Sequence, residues 1–264
     1  MAIADYYDGL DVLEKDNGSK NFTKLSPSSI SKFFSSTRQW YGENLLDEDL
    51  AFNGSTASIL GNIVHHFAEV AATGVQPTDA DQDVADYLDS QTIDFDRPEV
   101  ESLWREMSNA LIQGCINNTT IHSTEQFINH QLLPGIYVAG TYDALIANGS
   151  GYTVRDYKTT GKKPSGFSYD YRMQAHTYAY ILRKKGYHVN YVELQFAVRP
   201  TKTLPVRHFT FTEPFTDEDF ARIEGQLTLI AHSVDTWNKH PELRYLLAQD
   251  WRLKMEEPPQ LFKD

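Results

Sequence analysis

The sequence predicts an α/β (α+β) domain: a central mixed β-sheet flanked by helices, with a helical N-terminal part. Three observations lead there. Periodic segments follow the order helices, three strands, helix, two strands, helix. Asn148-Gly149-Ser150-Gly151 between two strand-like runs is a hairpin signal. A helical stretch that stops at Gly186 then separates the two groups of strands.

The elements read as follows. Residues 1–24 are polar and mixed, and are expected to form a loose lead-in. Ser26-Pro27 opens a short helix, serine as N-cap and proline at the first helical position, carrying Ile30, Phe33 and Phe34 toward Trp40 and Tyr41. A helix over Ser55–Ala72 places Ile59, Leu60, Ile63, Val64, Phe67 and Val70 at helical spacing. Residues 73–98 are acidic and punctuated by Pro77 and Pro98, and a further helical pattern covers Glu99–Ile116. Together, 73–120 is expected to be a helical insertion within one domain spanning 1–264, suited to walling a channel. Thr124–Leu132, Ile136–Ile146 and Tyr152–Lys158 read as strands. A helix over Tyr169–Lys185 stops at Gly186. Val189–Val198 and Val206–Glu213 are the last strands, and a helix from Thr216 carries Phe220, Ile223, Leu227, Ile230, Val234 and Trp237 on one stripe.

Composition bounds the function. The chain has 264 residues, 41% of them hydrophobic, with 15 Tyr, 14 Phe and 4 Trp, enough to build a sizeable core. No apolar run approaches the roughly 18 residues of a membrane span. The first residues lack a basic stretch followed by an apolar block, so an intracellular, cytoplasmic protein is expected. Cys115 is the one cysteine, which rules out an internal disulfide and a cysteine-built zinc or iron–sulfur site. The net charge of -12 means that any nucleic-acid contact must use local basic groups rather than bulk charge.

The hairpin is the most informative segment. A turn centred between Gly149 and Ser150 sets Asp143 opposite Asp156, with Cβ atoms about 4.5–5.5 Å apart. Lys158, two residues on, shares the face of Asp156. Two like charges so close raise each other's proton affinity. A divalent cation such as Mg²⁺, which takes one or two carboxylates and keeps waters and phosphates, offsets that repulsion. A solvated hairpin face, with Lys158 neutralising an aspartate, is the plainer alternative. On the preceding helix Gly61, His65 and Glu69 form one stripe, whereas His66 lies about 100° around. His65 is therefore the candidate imidazole ligand, the alternative being a hydrogen-bonded core histidine.

These segments fall in a recognisable order. Gly61-Asn-Ile-Val-His65, Gly140-Thr-Tyr-Asp143, Asp156-Tyr-Lys158-Thr159 and Gln174-Ala-His-Thr-Tyr178 resemble the motif series of PD-(D/E)XK nucleases. The RecB-like branch, with its phage recombination and CRISPR-associated exonucleases, is the nearest likeness. Leu25-Ser-Pro-Ser-Ser-Ile30 is similar to that branch's first helix start, and the resemblance spans about residues 25–200. It implies a restriction-endonuclease-like core. It also implies that His65, Asp143, Asp156 and the Tyr157 carbonyl hold Mg²⁺ or Mn²⁺, that Lys158 is catalytic, and that Gln174 and Tyr178 position the lysine or contact DNA. Glu69 would at most support the ligands. Tyr142 stands where the family's name has proline, and Thr37 stands near where iron–sulfur members carry a cysteine, so no cluster is expected.

What the resemblance implies is a metal-dependent deoxyribonuclease, most simply an exonuclease of DNA recombination, repair or phage DNA processing in a bacterial or phage-infected cell. A non-specific endonuclease, an inactive DNA- or partner-binding member, and a hydrolase of small phosphate esters are the alternatives. DNA contacts are expected from Lys162, Lys163, Arg172, Arg199, Lys202 and Arg207, with Phe167, Tyr169 or Tyr171 stacking on a single strand. A single-strand-annealing protein or a helicase is the expected protein partner. No nucleotide-binding G-x-x-x-x-G-K-[ST] loop is present in the chain itself.

Overall fold

The structure is a computed structural model, and it describes residues 9–45, 55–74, 79–117 and 119–240 together with Ile3 and Leu243. The chain enters through helix α1 (Leu10–Asn17) and strand β1 (Thr23–Leu25). A 3-10 turn over Pro27–Ser29 runs into α2 (Ile30–Ser35), followed by α3 (Thr37–Leu45) and α4 (Thr56–Thr73). Helices α5 (Ala80–Ser90) and α6 (Arg97–Leu111) come next, α6 widening into a π-helical turn over Ile112–Ile116. Strands β2 (Ile121–Leu133), β3 (Ile136–Ala147) and β4 (Tyr152–Thr160) lead to α7 (Tyr169–Lys184). The chain then forms β5 (Val189–Val198), β6 (Arg207–Pro214) and α8 (Asp217–Lys239). The helix starts follow the capping residues: Ser55 accepts from the Ser58 amide, Ser168 from that of Tyr171, and Thr216 from that of Asp219. The lead-in departs from expectation. Leu13 is fully buried against Tyr137 and Ala139, which draws residues 10–17 into a helix, and Thr23–Leu25 joins the sheet. Helix α5 lies in the stretch whose charges mask the two buried residues that anchor it, Val84 and Leu88.

Among the described residues six strands form one sheet, mixed as expected, with β1 added to the five strands the sequence predicts. β2 and β6 lie at its edges, β4 and β5 are parallel and joined by α7, and β3 is antiparallel to both β2 and β4. One side of β3 is shared by two short pairings: β4 runs beside Ala144–Ala147, and β1 runs parallel beside Ile136–Val138. Residues 139–143 have no strand neighbour on that side. The sheet therefore carries a fork, and Asp143 sits where β3 and β4 part.

The two faces hold separate cores. Helices α2, α3, α7 and α8 cover one with Trp40, Tyr41, Tyr180, Leu182, Ile223 and Ile230. Helices α4 and α6 cover the other with Leu60, Ile63, Phe67, Trp104, Met107 and Leu111. Cys115 is buried in this second core, its thiol donating to the Leu111 carbonyl. Among the described residues no helix is long and apolar enough to cross a membrane.

Candidate active site

The hairpin register follows from the sequence as far as it can be followed. Ala147 pairs with Tyr152 and Ala144 with Arg155 across the loop Asn148–Gly151. The next pair would be Asp143 and Asp156, but the ladder ends one rung short of it. In place of that rung the Tyr157 amide donates to Asp143 Oδ2 at 2.5 Å. A carboxylate thus replaces a strand at the fork.

Around this point lies a cavity of about 460 Å³, bordered by His65, His66 and Glu69 of α4, Glu125 of β2, Asp143, Asp156, Lys158, and Gln174 and Tyr178 of α7. All four motif segments meet there. Two glycines make the approach possible. A Cβ at Gly140 would stand 2.9 Å from Pro27 Cδ and 3.2 Å from the Tyr178 hydroxyl, and one at Gly61 would stand 3.2 Å from Thr159 Oγ1. Gly61 thus brings α4 against a β4 side chain rather than against backbone.

Lys158 is held at two points: its Nζ is 2.6 Å from Asp156 Oδ2 and donates to Gln174 Oε1 at 3.1 Å. Burial lowers the proton affinity of this amine, but Asp156 and Asp143 outweigh it and keep the lysine charged. Burial raises the Asp156 carboxyl to about 6, Lys158 pulling it down and Asp143 pushing it up. Asp143 is also raised by burial, against the pull of Lys158 and the Tyr157 amide. His65 Nδ1 lies 3.6 Å from Asp143 Oδ2, and the ring also bonds to the Tyr157 backbone. Burial and Lys158 lower the imidazole to about 4, so it is neutral at neutral pH and keeps a lone pair for a cation. The adjacent His66 is buried, its ring edge-on to Phe67.

Glu125 escaped the sequence reading. It lies across from Asp143, between the rungs Thr124↔Ala144 and Gln126↔Tyr142. Its φ of 46° is the one positive value among described non-glycine residues, a conformation that costs on the order of 1 kcal/mol or more. Burial, then Asp143, Glu69 and Asp156, push its carboxyl up to about 9. A lone glutamate in a polar strand gives no pattern; only the pairing with β3 brings it to the site. Glu69 likewise has a raised carboxyl, from burial and Asp143.

The donor chemistry fits a hard divalent cation: carboxylates of raised proton affinity beside a neutral imidazole. Among the described residues, though, no three His, Cys, Asp or Glu side chains already stand close enough together to hold one. The Lys158 ammonium and the Tyr157 amide take the carboxylate oxygens instead.

The basic residues divide. Arg172 makes a two-pronged pair with Glu213, and Arg199 pairs with Glu99, so both are committed within the fold. Among the described residues, Lys162, Lys163, Lys202 and Arg207 make no ion pair. Tyr169 is half exposed, while Phe167 and Tyr171 pack partly buried on β5.

If the α4 stripe faces the cavity, His65→Ala is expected to weaken Mn²⁺ binding by at least the roughly 10- to 100-fold typical of losing a group that supports metal ligands, and more than His66→Ala does. Titrating Mn²⁺ against both variants decides it; an equal or larger loss at His66 would mean that the helix presents a different face.

No curated protein matches this chain in sequence. Among solved structures, one from Eubacterium rectale that carries a provisional exonuclease name superposes with a TM-score of 0.50 at 14% identity, covering 85% of this chain and 82% of that one. LHK-Exo, solved in complex with dAMP, gives 0.36 at 14% identity over 68% and 89% of the two chains. The protein SSO0001 gives 0.31 at 13% over 76% and 86%. The first likeness supports the fold. The sequence model of the PD-(D/E)XK nuclease superfamily matches residues 24–248, which takes in all of β1 but Thr23, the fork and every cavity residue named above. The chain belongs to the PD-(D/E)XK nuclease superfamily.

Proposed function

We propose that this protein is a divalent-metal-dependent DNA exonuclease of the RecB-like branch, acting in recombination, repair or phage DNA processing. The observation that carries the reading is the Lys158 ammonium held between Asp156 and Gln174 at a fork lined by Asp143 and His65. His65, Asp143, Asp156 and the Tyr157 carbonyl would hold Mg²⁺ or Mn²⁺, which would supply Lewis-acid polarisation of the scissile phosphate and activation of water. Asp156 and Gln174 fix the Lys158 amine, leaving a charged donor aimed into the cavity to orient the water or stabilise charge on phosphate oxygen. Tyr178, 4% exposed and close against Gly140, braces α7 so that Gln174 keeps its reach. The chain is read as one nuclease domain in which residues 73–120 form an insertion, and as working inside the cell.

Exonuclease action is favoured by the likeness of the motif series to the RecB-like branch; cutting at a specific site would need several side chains on base edges. The test uses covalently closed circular DNA and its linear form with Mg²⁺ or Mn²⁺. Expected is rapid loss of the linear form while the circle persists. Fragments from the circle would establish an endonuclease. No cleavage of either, with intact binding, would establish an inactive DNA-binding member.

A further inference from the structure

Beside the proposed site, one face of strands β4, β5 and β6 carries residues that the nuclease reading does not use. Lys158 aligns across β4, β5 and β6 with Phe196 and Phe209, and Asp156 aligns with Leu194 and Phe211. These residues share the face that α7 covers, and α7 meets β6 at Arg172, which pairs with Glu213. Beside that pair runs a row of aromatic rings. Tyr171 lies under the Lys158 ammonium at 5.3 Å and edge-on to Phe196 at 5.8 Å, and Phe196 meets Phe211 at 5.9 Å. Phe209 and Phe211 remain only partly buried.

The cations are the second observation. In a chain of net charge -12 most described arginines are tied to carboxylates, yet among the described residues Lys162, Lys163, Lys202 and Arg207 form no ion pair. They come from the β4–α7 connection, the β5–β6 connection and the start of β6. Lys163 Nζ lies 5.6 Å and Arg207 Cζ 5.7 Å from the Phe209 ring. The reverse face of the same strands is self-satisfied: Arg155 pairs with Glu193, and Gln195 accepts from Thr210 and contacts His208. One face of β5–β6 thus holds aromatic rings flanked by uncommitted positive charge, and it leads directly from the catalytic lysine.

Rings with cations beside them suit one kind of occupant, a single nucleic-acid strand whose bases stack while its phosphates meet lysine and arginine. Duplex DNA hides its base faces, and an acidic protein surface would meet the cations but offer the rings no planar bases to stack. We propose that this face is a stacking track for a single-stranded segment of the DNA substrate, with Phe209 as platform and Lys163 and Arg207 as phosphate contacts. The proposal rests on the nuclease reading and adds which form of DNA is gripped beside the site. The path from β4 to β6 is about 10 Å, room for a few nucleotides.

The test measures binding of labelled oligothymidylate and of a blunt duplex in EDTA, where cleavage is stopped, using the whole chain. Phe209→Ala is expected to weaken oligothymidylate binding roughly 5- to 150-fold, the equivalent of 1–3 kcal/mol per stacked base, with little change for the blunt duplex. Phe209→Trp should restore affinity, and its indole fluorescence should be quenched as the oligonucleotide is added, which a ring serving only to pack would not show. Lys163→Ala, a surface change that spares the core, should reduce the salt dependence of binding by about one ion. Wild-type affinity in both Phe209→Ala and Lys163→Ala, with linear DNA still degraded by the parent protein, would overturn the track alone. A parent protein that neither binds nor cuts DNA would overturn the nuclease reading, and the track with it.

Discussion

Asp156→Ala is expected to lower metal-dependent DNA cleavage on the order of 10³-fold or more, because the groups at the fork act as a unit. Asp156 has two tasks there: it faces the cavity as a candidate metal ligand, and it holds the Lys158 ammonium at 2.6 Å. Its loss removes both, while the register of β3 and β4, set by backbone pairs and the Asn148–Gly151 loop, stays. The fold should persist. Removing one of two neighbouring acids relieves like-charge repulsion, and Lys158 keeps Asp143 within its field. Cleavage of end-labelled linear DNA and a melting curve in EDTA together check this. Parental cleavage rates in the variant, or undiminished cleavage by the parent protein in excess EDTA, would end the metal-dependent reading.

The second large effect is on stability. Lys158→Met in EDTA at pH 8 should lower the melting temperature by about 10 °C, since breaking a buried ion pair from one side costs about 3–5 kcal/mol. The acid left behind decides the pH dependence. The Asp156 carboxyl is already raised to about 6, and Lys158 is the first of the groups that hold it down. Without the lysine it rises further. A group whose proton affinity is raised by folding contributes stability that is complete below its unfolded pKa and is lost as pH climbs through the folded one. The deficit should therefore shrink toward pH 5, where Asp156 is neutral, and grow toward pH 8. Mg²⁺ should recover part of it, because a cation that binds only the folded state stabilises it. A melting temperature equal to the parent's at pH 8 would mean that Lys158 does not balance the buried acids.

The sequence by itself determined the local elements and their pairing. Turn residues at 148–151 set a register that the sheet keeps to its last rung, Ala144↔Arg155. Hydrophobic spacing set α4, α7 and α8, and motif order singled out His65, Asp143, Asp156, Lys158, Gln174 and Tyr178, all of which border one cavity. These signals are legible because they are short-range: a cap, a turn, a period, a pair of residues two apart. What only the tertiary structure decided depends on distant neighbours. Residues 10–17 become a helix because Leu13 finds Tyr137 and Ala139. Glu125 joins the site because β2 pairs with β3, and Arg172 and Arg199 are paired within the fold because Glu213 and Glu99 reach them. Above all, the fork exists because β1 takes the pairing positions on β3 that β4 does not use. A strand's partners along its length are a competition among segments far apart in the chain, and no local pattern records which of them wins.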